Sequence, residues 1–160
     1  MVTWRELTER QPEVATAGRS LLYQVGVGLA FLATVRPDAR PRLHPICPLL
    51  DTAGMYAFIV PSPKQGDLRH NGAYALHSFP CDDNEDAFYL TGTATLVEDP
   101  AVRDALGGQF VAERKQFAVP LPAAADALFH FDIESCLLTR TTGHGDPAPD
   151  HLVWRAGAPG

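Results

Sequence analysis

With 160 residues the chain has room for one packed core and not for two. Thirteen glycines and fourteen prolines interrupt it often while a 46% apolar content still supplies a core, which argues against a disordered or long-helical chain. A formal net charge of −6, with no stretch that gathers the 13 Lys and Arg, argues against nucleic acid as a partner.

Thr3 followed by Glu6 matches a capping box, and Pro12 suits the first turn of a second helix with Val14, Gly18, Leu21, Leu22 and Val25 on one side. Two short helices are therefore expected over about 3–25. The apolar run 29–35 reads as a buried strand ending in the turn Pro37-Asp38-Ala39-Arg40. A second strand, roughly 41–50, places Arg42, His44 and Ile46 on one face and Leu43, Pro45 and Cys47 on the other. Pro41, Pro45 and Pro48 cannot donate to a ladder, so this is an edge or bulged strand. Residues 55–60 form a third strand, and Ser62 to Arg69 a short helix with Ser at the cap and Pro at its first position. Strands over 73–79 and 87–97 flank an acidic loop, 81–86. A helix from Asp99-Pro100 to about Ala118 precedes a strand over 128–141, in which Phe129, Phe131 and Ile133 alternate with His130, Asp132 and Glu134. Residues 142–160 read as a C-terminal tail in which His151 to Arg155 can add a short last strand. The chain is thus α+β, a single domain built on about six antiparallel strands in a small barrel (28–141) with helical caps.

Several familiar chemistries find no support. Gly26-Val27-Gly28 has Phe at position 31 and precedes a strand, so it is not a dinucleotide fingerprint. Asp82, Asn84 and Asp86 imitate a calcium loop that then fails at Ala87 and Thr93. His44, His70 and His77 lack the paired spacing of a structural zinc site, and no metal is expected. Cys47, Cys81 and Cys136 are an odd number with no short spacing, which fits a reducing cytoplasm. No segment approaches the ~20 apolar residues of a membrane span. The informative stretch is Ser62 to Arg69. A helix N-terminus with Lys64 on its first turn suits an anion such as a phosphate, although Ser62 with Gln65 is itself an S-x-x-Q capping box that would satisfy the free amides internally.

The series F-L-A-T-V-R-P-D-A-R-P-R-L-H-P-I (31–46), M-Y-A-F-I-V-P-S-P-K-Q-G-D-L-R-H-N-G-A-Y-A-L-H-S (55–78) and F-Y-L-T-G-T-A-T-L-V (88–97) resembles the flavin-binding split-barrel family related to pyridoxamine 5′-phosphate oxidase, over most of residues 12–141. The resemblance implies a six-stranded split barrel and a homodimer that holds FMN at the subunit interface. It implies that Lys64, helped by Ser62, contacts the cofactor phosphate. His44, Pro45 and Ile46, with Ile59 and Val60, would flank the ring and ribityl chain, while Tyr89, Leu90 and Thr91 of the partner close the site. Two departures stand out. Where oxidases of this family commonly carry Ser-Arg-Lys, this chain has Ser62-Pro63-Lys64, so a charged contact is missing unless Arg42 or Arg69 replaces it. Trp154-Arg155 keeps the tryptophan-arginine pair of the true oxidases without their second arginine, which points away from vitamin B6 oxidation.

The expectation is a cytoplasmic FMN-dependent oxidoreductase acting on a small organic substrate, with His44 and His77 as candidate proton-exchanging groups. Two other readings keep the fold. One is a reductase using the 8-hydroxy-5-deazaflavin coenzyme, whose polyglutamyl tail the net charge disfavours; the other is a non-catalytic binder of flavin or haem.

Overall fold

Eight strands and four helices account for the described residues, 1–157, of the computed structural model. Helix α1 (Trp4–Arg10) starts at the predicted capping box: Thr3 Oγ1 accepts from Glu6 N at 3.2 Å, and the Glu6 carboxylate accepts from Thr3 N at 2.8 Å. Pro12 opens α2 (Pro12–Leu22), which buries Val14, Ala15, Gly18 and Leu22. The helix stops at Leu22, so Val25 lies beyond it and is 61% exposed.

The strands are β1 (Ala30–Val35), β2 (Pro41–Ile46), β3 (Leu49–Leu50), β4 (Met55–Ile59), β5 (Ala73–Ser78), β6 (Ala87–Leu96), β7 (Ala127–Arg140) and β8 (Asp150–Arg155). Helix α3 (Pro63–His70) joins β4 to β5, and α4 (Pro100–Glu113) lies between β6 and β7. All strand pairs are antiparallel, in the order β2-β1-β5-β6-β7-β4-β3 with β8 beside β7. The 14-residue β7 makes this possible: its first residues pair with β4 and its last with β8, so the sheet changes partner and curls into a half-barrel.

The expected count of six strands becomes eight, for two local reasons. The segment 41–50 is two strands, because Pro48 lacks an amide donor and the chain breaks at Cys47–Pro48. The tail supplies β8 at 150–155, the short last strand read over His151 to Arg155, registered on β7 from Ser135↔Arg155 to Arg140↔Asp150. The helix expected to reach Ala118 ends at Glu113; one turn of 3₁₀ helix, Lys115–Phe117, follows, and Ala118 is left-handed at φ 49°.

The concave face of the sheet carries the core: Leu32, Leu76, Phe88, Leu90, Phe129 and Phe131 pack with Trp4, Leu7 and Leu22 of the N-terminal helices. Each such side chain withdrawn from water stabilises the fold by roughly 1.5–3 kcal/mol. A smaller cluster of Leu49, Leu106 and Leu128 fixes α4 against β3. No helix among the described residues is long and apolar enough to cross a membrane.

Candidate functional site

Strand register decides which predicted residues share a surface. Leu32 is paired with His44 and with Leu76, and Leu76 with Leu90, so His44 belongs to the concave row; Thr34 pairs with Arg42 and places it there too. The alternate positions form two rows on the convex face. Pro45, Phe31, His77, Tyr89, Leu137 and Val153 align across six strands, and Leu43, Ala33, Ala75, Thr91, Ser135 and Arg155 align beside them. None of these twelve is buried, and Leu43 and Val153 are 64% and 59% exposed.

At the β2 edge the concave row meets α3, and four charged or titratable groups converge. Asp67, 4% exposed, accepts from Arg42 Nε at 2.8 Å and from Thr34 Oγ1 at 2.8 Å. Burial pushes the Asp67 carboxyl up, but the hydrogen bonds from Arg42 and Thr34 and the positive charge of Arg42 outweigh it and leave its pKa below the ordinary value. Half-buried His44 is shifted down, first by burial and then by the positive charges of Lys64 and Arg42, so its ring is neutral at pH 7. Its Nε2 is buried and finds no hydrogen-bond partner among the described residues. Lys64, also half-buried, stands on the first turn of α3. Two cations beside an unpaired imidazole nitrogen make a place for an anionic, hydrogen-bonding group.

The predicted capping box at α3 does not form. Ser62 Oγ donates to Val60 O at 2.8 Å and gives no side-chain cap; Gln65 Nε2 instead donates to Ile59 O at 2.8 Å and Ala125 O at 3.1 Å. The Lys64 turn is therefore anchored from behind, with its front left free of its own side chains.

The other predicted residues separate. Arg42, His44 and Lys64 come together; Arg69 lies five residues further along α3, about 7.5 Å down its axis, exposed beside Gly72 and Thr95. Ile46, Ile59 and Leu90 are core side chains, 5%, 0% and 0% exposed, so only their backbone could meet a ligand. Pro45, Tyr89, Thr91 and His77 lie on the convex face, Val60 is exposed at the end of β4, and the His77 ring is 6.5 Å from that of Tyr89. Thr91 and Ser135 share a hydroxyl hydrogen bond at 2.7 Å. His77 Nδ1 lies 2.6 Å from the carbonyl oxygen of Ser78.

Asp67 and Thr34 escaped the sequence reading, as did Leu137, Ser135 and Val153. Asp67 sits three residues after Lys64, on the same helix face, and that spacing is the one local hint. Thr34 becomes a partner of Arg42 only once β1 and β2 are in register. A cleft of about 440 Å³ between α1, α2 and the β3–β4 turn, lined by Trp4, Arg5, Arg19 and Asp51 among others, contains none of the predicted residues.

No family model matches the sequence, and no curated protein does. Solved structures do share the fold. A pyridoxamine 5′-phosphate oxidase-related, FMN-binding protein from Nostoc punctiforme is 16% identical with a TM-score of 0.65, covering 94% of this chain and 91% of its own. The heme storage protein from Vibrio cholerae is 14% identical with a TM-score of 0.56, over 78% of this chain and 89% of its own. A heme binding protein from Mycobacterium smegmatis is 16% identical with a TM-score of 0.59, over 85% of this chain and 57% of its own. The architecture is thus the split barrel of pyridoxamine 5′-phosphate oxidase-related proteins.

Proposed function

We propose that the chain binds FMN between two copies of itself and serves as a cytoplasmic oxidoreductase for a small organic substrate. The observation that carries this reading is the Arg42–Lys64 cation pair set beside the unpaired His44 Nε2, at the β2 edge where the concave row meets α3. An FMN phosphate needs fixed positive charge and a hydrogen-bond donor, which Lys64, Arg42 and neutral His44 supply. Arg42 thereby takes the part of the arginine missing at Pro63, and Arg69, at the far end of α3, does not. The convex rows offer flat apolar and hydroxyl-bearing surface from Tyr89, Thr91 and Leu137 for a ring held against a second copy. The split between faces also accounts for the absence of these residues from the 440 Å³ cleft: half of an interface site is a shelf until its partner arrives. When bound, the flavin supplies the two-electron chemistry, and the chain's residues bind it, orient it and exclude water.

The absorption spectrum of the purified protein, with heat release and mass measurement of any ligand, tests the reading. FMN at about one per subunit is expected, and Lys64→Ala should weaken its binding by about 1–3 kcal/mol. An apo protein that also fails to take up added FMN overturns it. Haem is the second reading, favoured by the likeness to the heme storage protein from Vibrio cholerae and by a cation pair that suits propionates as well as phosphate. It would appear in the same spectrum as a Soret band.

A further inference from the structure

We infer that Asp67 is a positioning residue: it holds the Arg42 guanidinium by Nε so that the two terminal nitrogens, with the Lys64 ammonium, form a two-cation receptor for a phosphate-type anion. The inference rests on the reading of this corner as the anion end of the site and adds to it the group that aims the arginine. Arg42 stands on an edge strand, where a free guanidinium would lose rotameric freedom on meeting a ligand. Its Nε is instead fixed at 2.8 Å to a carboxylate that is itself 4% exposed and held by Thr34 at 2.8 Å. Its terminal nitrogens make no hydrogen bond among the described residues, and the side chain remains 28% exposed. A guanidinium gripped through Nε presents its Nη pair as a planar fork, the geometry that matches phosphate bidentately. The groups facing Asp67 are Arg42 on β2, Thr34 on β1 and, at longer range, Arg36, while Lys64 and Arg42 face His44. One carboxylate against two cations leaves the corner net positive with neutral His44.

The sign of one substitution separates this from a merely structural staple. Removing a negative charge beside an anion site tightens anion binding by Coulomb's law alone; removing the group that aims Arg42 loosens it. The measurement is the thermal stabilisation of the full chain by inorganic phosphate against sodium chloride of equal ionic strength, since a ligand that binds only the native state raises its melting temperature. Wild type should be stabilised. Asp67→Ala should weaken phosphate about tenfold, Asp67→Asn, which keeps an oxygen acceptor, should recover part of that, and Arg42→Lys, which has no fork, should resemble Asp67→Ala. If Asp67→Ala does not fold, Asp67→Asn and Thr34→Val carry the test, and both should still bind phosphate more weakly than wild type. Equal or tighter phosphate binding in the folded variants overturns the inference, as does a wild type indifferent to phosphate. FMN and riboflavin titrations separate its failure from that of the flavin reading. A phosphate response as expected, with FMN bound no better than riboflavin, removes the flavin and keeps the receptor; an FMN preference that Asp67→Ala leaves unchanged does the reverse.

Discussion

Asp67 and His44 tie the stability of the molecule to pH from the acid side. A carboxyl whose folded pKa is depressed stabilises the fold above its unfolded value near 3.9, and that contribution is lost as pH falls through the lower folded value. A histidine whose pKa is depressed behaves alike: the unfolded chain takes up the proton first, so stability declines as pH drops below about 6.5. Urea unfolding at a series of pH values should therefore show two acid-side losses, with His44→Gln flattening the upper and Asp67→Asn the lower. Unchanged profiles in both variants would disprove the assignment. Tyr23 shows a purely structural form of the same physics. Burial, opposed by the hydrogen bond from Leu50 N and reinforced by Glu113, pushes its hydroxyl up to about 12. The un-ionised hydroxyl ties α2 to β3 and, with Glu113 and Gln109, to α4.

Elements here are set by where the backbone lacks a partner or lacks room. Strands β6 and β7 shift register between Thr91 and Gly92, and a Cβ at Gly92 would fall on the Asp132 carbonyl oxygen. Gly108 of α4 is the opposite case, because a Cβ there meets nothing. Gly108→Ala should accordingly raise stability by about 0.5–1 kcal/mol, the helix-propensity difference, whereas Gly92→Ala should lower it, both read by urea denaturation. Equal effects at the two positions would refute the argument. Helix α3 belongs to the same logic: without a side-chain cap from Ser62 it depends on Gln65, which fastens its first turn to β4 and to the 123–126 turn.

At the scale of the whole molecule, the two convex rows running from Leu43 and Pro45 to Val153 and Arg155 form a sheet face that the described residues leave uncovered. A stable pairing of two copies needs about 800 Å² per partner, which six strands side by side can provide. Sedimentation of the wild type should give a dimer, and Val153→Asp should yield a folded monomer with weakened flavin binding, because a carboxylate buried unpaired in an interface is costly. A wild-type monomer at micromolar concentration would sink the two-copy site while leaving the Arg42–Lys64 corner to be judged by phosphate alone.

Pieces whose causes are local are legible in the chain alone. The Thr3–Glu6 capping box, Pro12 and Pro63 at helix starts, the edge position of the proline-rich strand and the alternation of Phe129, Phe131 and Ile133 all act within a few residues, and each appears where the chain predicts it. Similarity of segment order pointed to the split barrel and to Lys64 and His44, and left Arg42 and Arg69 as alternatives for the second cation. Which face each residue serves is fixed by strand pairing, because side-chain direction follows register: it sends Ile59 and Leu90 into the core and sets Tyr89 and Thr91 outside. Packing likewise fixes what holds Arg42. Asp67 lies 25 residues away from it along the chain, and only the packing of α3 on two paired strands turns that separation into a 2.8 Å bond.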